Sequence, residues 1–214
     1  MSDEKGSGGG DAPLPEWARP FVVVLLLVAL MWIEEIVDIV PHTNFDAWGI
    51  RPRQLKGLIG IPLAPFLHAG FGHLIGNTIP FLILGGIIAA SGVTRYLQVT
   101  LLIALVSGLG TWLIGTANTD HIGASGVVFG YFTYLIARGI FDRRLLYLVV
   151  GAVVLFVYGS IIWGVFPHQG ISWEGHVFGA VGGVLAAKAF STRKPGAGTA
   201  GTATDPKPEP LGFS

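Results

Sequence analysis

The sequence predicts an all-α membrane protein, a bundle of six transmembrane helices. Three observations predict it. Of the 214 residues, 51% are hydrophobic and 12% are charged, about half the charged fraction of soluble domains. The apolar residues gather in runs nearly free of charge, the pattern of helices that cross a bilayer. Six such runs can be drawn, at 21–40, 73–90, 97–115, 123–137, 145–165 and 176–190.

The opening "MSDEKGSGGGDAPLPEWARP" is polar and rich in Gly and Pro, so residues 1–19 are expected to form a disordered tail. The first run is long enough to span, since a crossing takes about 20 residues. No A-x-A-like site precedes Glu34 and the leader is not distinctly basic, so the run is expected to be a retained anchor, not a cleaved signal. Glu34, Glu35 and Asp38 lie near its far end, where interfacial solvation is the simplest expectation. After a long loop the second run opens with "HAGFGHLIGNTIP". The third and fifth have no comparable polar group in their interiors; Phe156 and Trp163 on the fifth read as lipid-facing anchors. The fourth opens with "GASG" and the sixth with "EGHVFGAVGG", and both are short for a span. The closing "PGAGTAGTATDPKPEPLGFS" reads as a second tail over 193–214, leaving 20–192 as the membrane domain.

Basic residues set the orientation. With the amino terminus in the cytoplasm, ten lie inside (Lys5, Arg19, Arg95, Arg138, Arg143, Arg144, Lys188, Arg193, Lys194, Lys207) and three outside (Arg51, Arg53, Lys56). Positive charge favours the cytoplasmic side, so both termini are expected there. The second, fourth and sixth helices then begin at the outer face. The formal net charge is +0, which gives no electrostatic case for a nucleic-acid partner. Cysteine is absent, which excludes disulfides and thiolate chemistry.

The polar groups of the apolar runs fall at that one face. His73 and Asn77 are four residues apart, on one side of a helix. His68, just upstream, reads as a hydrated surface residue. Ser125 sits between Gly123 and Gly126, with Gly130 four residues further on. Gly175, Gly179 and Gly183 make a matching stripe around His176. Glycine faces let helix backbones approach closely, so contact between the stripes would bring the Ser125 hydroxyl to the His176 imidazole. A hydroxyl paired with a base is the arrangement covalent catalysis needs. The Ser125 N–H, the Asn77 side chain and His73 are candidate oxyanion donors. Phe129, one turn after Ser125, packs either beneath the imidazole or into the core. No acidic residue falls within the fourth or sixth run as drawn, so the pair reads as a dyad.

These residues resemble the rhomboid intramembrane serine proteases, in their bacterial six-helix form. The resemblance covers about residues 20–190 and rests on "GASG" for the nucleophile motif G-x-S-G, "GHVFG" for the helix-6 histidine motif and "HAGFGHLIGN" for the helix-2 region; "WGIRPRQLKG" is similar to a rhomboid first loop. It implies Ser125 as nucleophile, His176 as general base, and His73 and Asn77 lining the oxyanion hole. It implies a rhomboid-like bundle in a bacterial inner membrane that cleaves transmembrane segments of other proteins, with no metal or organic cofactor. Many members carry tyrosine where this chain has Phe129, which keeps the ring and loses a hydroxyl. Two other readings share some features: an inactive relative that binds transmembrane segments, and a transporter. The first typically lacks the serine or histidine, and the second lacks support from any inverted repeat.

Overall fold

The structure is a computed structural model that describes residues 14–41, 43–167 and 170–191. Of the expected tails, residues 1–13 and all of 193–214 lie outside the described residues. Among the described residues seven α-helices form: α1 Arg19–Asp38, α2 Gly60–Leu63, α3 Phe71–Ala89, α4 Val93–Ile114, α5 Ser125–Asp142, α6 Leu145–Tyr158 and α7 Trp173–Ala189. Among the described residues there is no strand, only an isolated antiparallel bridge between Ile50 and His121. Four stretches are long and apolar enough to cross a membrane: α1, α3, α4 and Leu145–Val165.

What the helices expose identifies their solvent. Leu97, Leu101, Leu105, Leu109 and Leu113 of α4 are all exposed, as are Ile75, Ile79, Ile83 and Ile87 of α3. A spacing of four makes each set a continuous stripe on one helix face. Apolar stripes of that extent are not left in water, and they fit hydrocarbon. The chain is an integral membrane protein.

α5 occupies the centre. Val127, Val128, Phe129, Tyr131, Phe132, Tyr134 and Leu135 are all buried, so this helix is apolar around nearly its whole circumference, as an interior helix must be. Its tightest neighbour is α7. A Cβ on Gly179 would land on the carbonyl oxygen of Gly126, and one on Gly183 on that of Gly130. Only glycine allows so close an approach, and the matched stripes seen in the sequence are what makes it. Two hydroxyls tie α7 into place along the same seam. Ser107 of α4 donates to the Gly175 carbonyl at 2.8 Å, and Thr133 of α5 to that of Ala180 at 2.7 Å.

Several boundaries differ from the sequence reading. α5 begins at Ser125, because Gly123 adopts φ +110°, a left-handed conformation outside any helix. It runs on to Asp142 and ends where Arg143 turns left-handed, with φ 50°. α7 begins at Trp173, three residues before the run drawn from His176, so Glu174 lies in its first turn and is 3% exposed. The expectation that no acid falls in these two helices is therefore corrected: polar ends of helices escape a reading based on apolar runs. The fifth run tightens from α-helix into a 3-10 turn over Gly159–Val165. Glu35 is 5% exposed and not solvated as expected, because α1 packs along α3 and turns this side inward. Asp38 accepts from the Phe45 N–H at 2.7 Å.

The long first loop is structured. It holds 3-10 turns at Phe45–Trp48 and Leu55–Ile59, followed by α2. It is tied to the loop before α5 by the Ile50–His121 bridge and by Arg51, whose Nε donates to Asp120 at 2.5 Å.

Candidate active site

The amino-terminal ends of α3, α5 and α7 meet around one cavity of about 340 Å³ whose lining includes His73, Asn77, Ser125, Phe129 and His176. Ser125 is the first residue of α5, so its N–H belongs to the first turn, whose donors have no acceptor within the helix. Gly123 presents this turn: its left-handed φ reverses the chain, and its N–H is held by the Ala64 carbonyl at 2.8 Å. Ala124 follows in the same corner, its N–H facing Nε2 of His68 at 3.4 Å.

The His176 imidazole lies in the first turn of α7, and its Nε2 is 2.8 Å from Ser125 Oγ. Its Nδ1 is 2.7 Å from the Gly164 carbonyl oxygen. A carbonyl can only accept, so Nδ1 carries the hydrogen and Nε2 the lone pair. The serine hydroxyl then donates to Nε2, which is the state of a base ready to take a proton. The partner that fixes the tautomer is a backbone carbonyl and not a carboxylate. Phe129 stacks on the imidazole with centroids 4.2 Å apart and planes 8° from parallel. Of its two sequence-level placements, the one beneath the imidazole is observed. Gly164 admits both rings, since a Cβ there would sit 2.8 Å from Phe129 Cζ and 3.1 Å from His176 Nδ1. Nothing in the apolar fifth run distinguishes this glycine.

The donors face the same space. Asn77 is 5% exposed and gives one amide hydrogen to the His73 carbonyl at 3.0 Å, leaving its second for the cavity. Nδ1 of His73 accepts from the Ala69 N–H at 3.4 Å, which places the ring hydrogen on Nε2. That nitrogen lies against Gly123, 2.7 Å from where a Cβ would be. Gly126 borders Ser107 Oγ and the Gly175 carbonyl, and so sets the depth of α5 against α7. The site residues singled out in the sequence thus line this cavity, except Gly126, which lies in the α5–α7 seam, and Gly123, which packs against the His73 ring.

His68 departs from expectation. It is 1% exposed, donates from Nδ1 to the Phe66 carbonyl at 3.0 Å and meets the His73 ring edge-on at 5.2 Å between centroids. The turn before α3 folds it under the Gly123–Ala124 corner that precedes Ser125, away from water. Burial is the main reason its pKa falls from 6.5 to about 4, with the neighbouring His73 acting in the same direction against the Phe66 hydrogen bond. His121 is also buried, at 9% exposure, and burial lowers its pKa as well.

Comparison with known proteins shows what the chain is similar to. The family model described as Rhomboid domain matches residues 55–193. An uncharacterized protein of Mycobacterium tuberculosis is 44% identical over 186 residues, covering 83% of this chain and 78% of its own. The putative rhomboid protease YdcA of Bacillus subtilis is 28% identical over 120 residues, 56% of this chain and 60% of that one. The rhomboid protease GluP of the same organism is 26% identical over 133 residues, 61% of this chain and 26% of that one. With the family model matched across α2 to α7 and the three motif-bearing helix ends gathered on one cavity, the chain belongs to the rhomboid family.

Proposed function

We propose that this protein is an intramembrane serine endopeptidase that cuts transmembrane segments of other membrane proteins. The observation that carries the reading is the 2.8 Å approach of Ser125 Oγ to a His176 nitrogen whose lone pair faces it. In this reading six helices (α1, α3, α4, α5, α6 with its 3-10 extension, and α7) cross a bacterial inner membrane. Both termini are cytoplasmic, and the cavity opens toward the outer face.

The chemistry follows from the geometry. A substrate helix frays near its outer end and frees a carbonyl that was hydrogen-bonded within the helix. Ser125 Oγ bonds to the carbonyl carbon while its proton passes to His176 Nε2. The oxyanion is held by the Ser125 N–H, the free Asn77 amide hydrogen and the His73 Nε2–H. As the C–N bond breaks, the leaving amine takes the proton from Nε2, and an acyl-enzyme remains. A water then attacks the ester carbonyl and gives a proton to Nε2. Collapse releases the acid and returns the proton to Ser125. Phe129 holds the imidazole plane throughout, so the base does not turn away between the two half-reactions.

The test is cleavage in a bilayer. The protein is reconstituted in liposomes with a single-span substrate bearing small residues and a helix-weakening sequence near its outer end. Cleavage in that region by the wild type, and none by Ser125→Ala or His176→Ala, supports the reading. Retention of the intact substrate by a folded wild type indicates a binding protein instead.

A further inference from the structure

We infer that His121 is a positioning residue that locks the loop carrying the nucleophile to the first turn of the helix carrying the base; the inference rests on the protease reading above. His121 stands four residues before Ser125, outside the G-x-S-G motif. Its backbone is fixed to the first loop: its N–H donates to the Ile50 carbonyl at 3.0 Å and its carbonyl accepts from the Ile50 N–H at 2.9 Å. Its ring is fixed at both nitrogens. Nε2 lies 2.9 Å from Thr119 Oγ1 and Nδ1 lies 2.7 Å from Ser172 Oγ.

The hydrogen positions follow from the partners. The Thr119 hydroxyl already donates to the Thr116 carbonyl at 2.7 Å, so Thr119 accepts from His121 Nε2–H. Nδ1 is left as an acceptor, and the Ser172 hydroxyl donates to it. Ser172 immediately precedes α7, and its carbonyl accepts the N–H of His176 at 3.2 Å. Its side chain caps none of the α7 donors; it is turned to His121 instead. A single path of hydrogen bonds thus runs from Ile50 through His121 and Ser172 to the backbone of His176. The imidazole and Ser172 also share the wall of a small cavity of about 30 Å³ with Ser125.

The glycine seam between α5 and α7 brings the helices together and Thr133 ties it to the Ala180 carbonyl further along, but close glycine contacts resist separation more than sliding. Sliding changes the Ser125–His176 distance just as separation does, and the His121–Ser172 bond opposes it. Misplacement of a catalytic pair by about 1 Å costs on the order of 10² in rate.

The test uses the full-length protein in detergent and reads the rate constant for labelling by a fluorophosphonate probe, with thermal unfolding followed in parallel. His121→Gln keeps a donor toward Thr119 and withdraws the group that faces Ser172. Ser172→Ala removes the same bond from the other end. Each is expected to slow labelling about 10- to 100-fold, and the double variant to be no slower than the slower single. His121→Asn, whose amide oxygen reaches the Nδ1 position, is expected to recover most of the rate. Wild-type labelling by both singles overturns the inference. So does an equal loss in His121→Asn and His121→Gln that merely follows the folded fraction. Failure of the wild type to label speaks against the protease reading itself.

Discussion

The Phe129 ring lies flat on the His176 imidazole, with centroids 4.2 Å apart and planes 8° from parallel, while the far nitrogen of that imidazole is held by the Gly164 carbonyl. The imidazole is therefore gripped on its face and at one edge, and its remaining edge faces Ser125. Removing the ring frees rotation about the side chain without touching the reacting atoms. Phe129→Ala is expected to lower kcat by about 2- to 10-fold, from a stacking contribution of about 0.5–1.5 kcal/mol, with KM little changed. Phe129→Tyr is expected to retain activity. Steady-state cleavage of a fluorogenic transmembrane peptide measures both.

The oxyanion role proposed for Asn77 can be separated from its part in the fold. Its visible hydrogen bond is to the His73 carbonyl in its own helix, and loss of one such bond costs only about 1 kcal/mol of stability. Loss of an oxyanion donor costs about 10²–10³ in rate. Asn77→Ala is thus expected to reduce kcat by that factor while its melting temperature shifts by a few degrees. A large fall in melting temperature with the rate per folded molecule preserved would mean that Asn77 serves only the fold.

The α5–α7 seam predicts the opposite pattern. Because the Gly126 carbonyl occupies the place a Cβ on Gly179 would take, Gly179→Ala forces the helices apart. Overpacking of this kind costs about 1–3 kcal/mol, and the separation also opens the Ser125–His176 contact. Melting temperature and probe labelling are expected to fall together. Gly86→Ala, on a face with open space around it, is the control expected to change neither.

His68 gives a pH signature. Its pKa is near 4 in the folded protein against 6.5 for the free side chain. As the pH falls below 6.5 the unfolded chain takes up the proton and the folded chain does not. Stability from the neutral buried ring is therefore complete above pH 6.5 and is lost between 6.5 and about 4, a total of about 3 kcal/mol. Melting temperatures measured across that interval should fall less steeply in His68→Gln than in the wild type. Parallel slopes for the two would contradict the assignment.

Much of the site was legible because its parts obey short-range rules. The Gly126/Gly130 and Gly179/Gly183 stripes state a close helix pair, and a polar group at the start of each of three apolar runs states a shared face. Other features depend on segments far apart in sequence. His68 reads as an exposed polar residue by type, and only the turn before α3 buries it. Gly164 lies in a run with no polar signal, where a carbonyl is freed by a 3-10 turn that apolar composition does not announce. Glu174 lies just ahead of the apolar run at 176–190 that hydrophobicity delimits, whereas helices start on polar residues. The first loop carries no periodicity to read, since its 3-10 turns and α2 are each a single turn or two.

The most direct measurement of the central claim is covalent labelling of the purified, folded protein by a fluorophosphonate, located by peptide mass spectrometry. A single adduct on Ser125 is expected, formed by the wild type, absent in Ser125→Ala and slowed by more than about 10²-fold in His176→Ala. A folded wild type without an adduct, or an adduct that forms at the wild-type rate when His176 is removed, would contradict it.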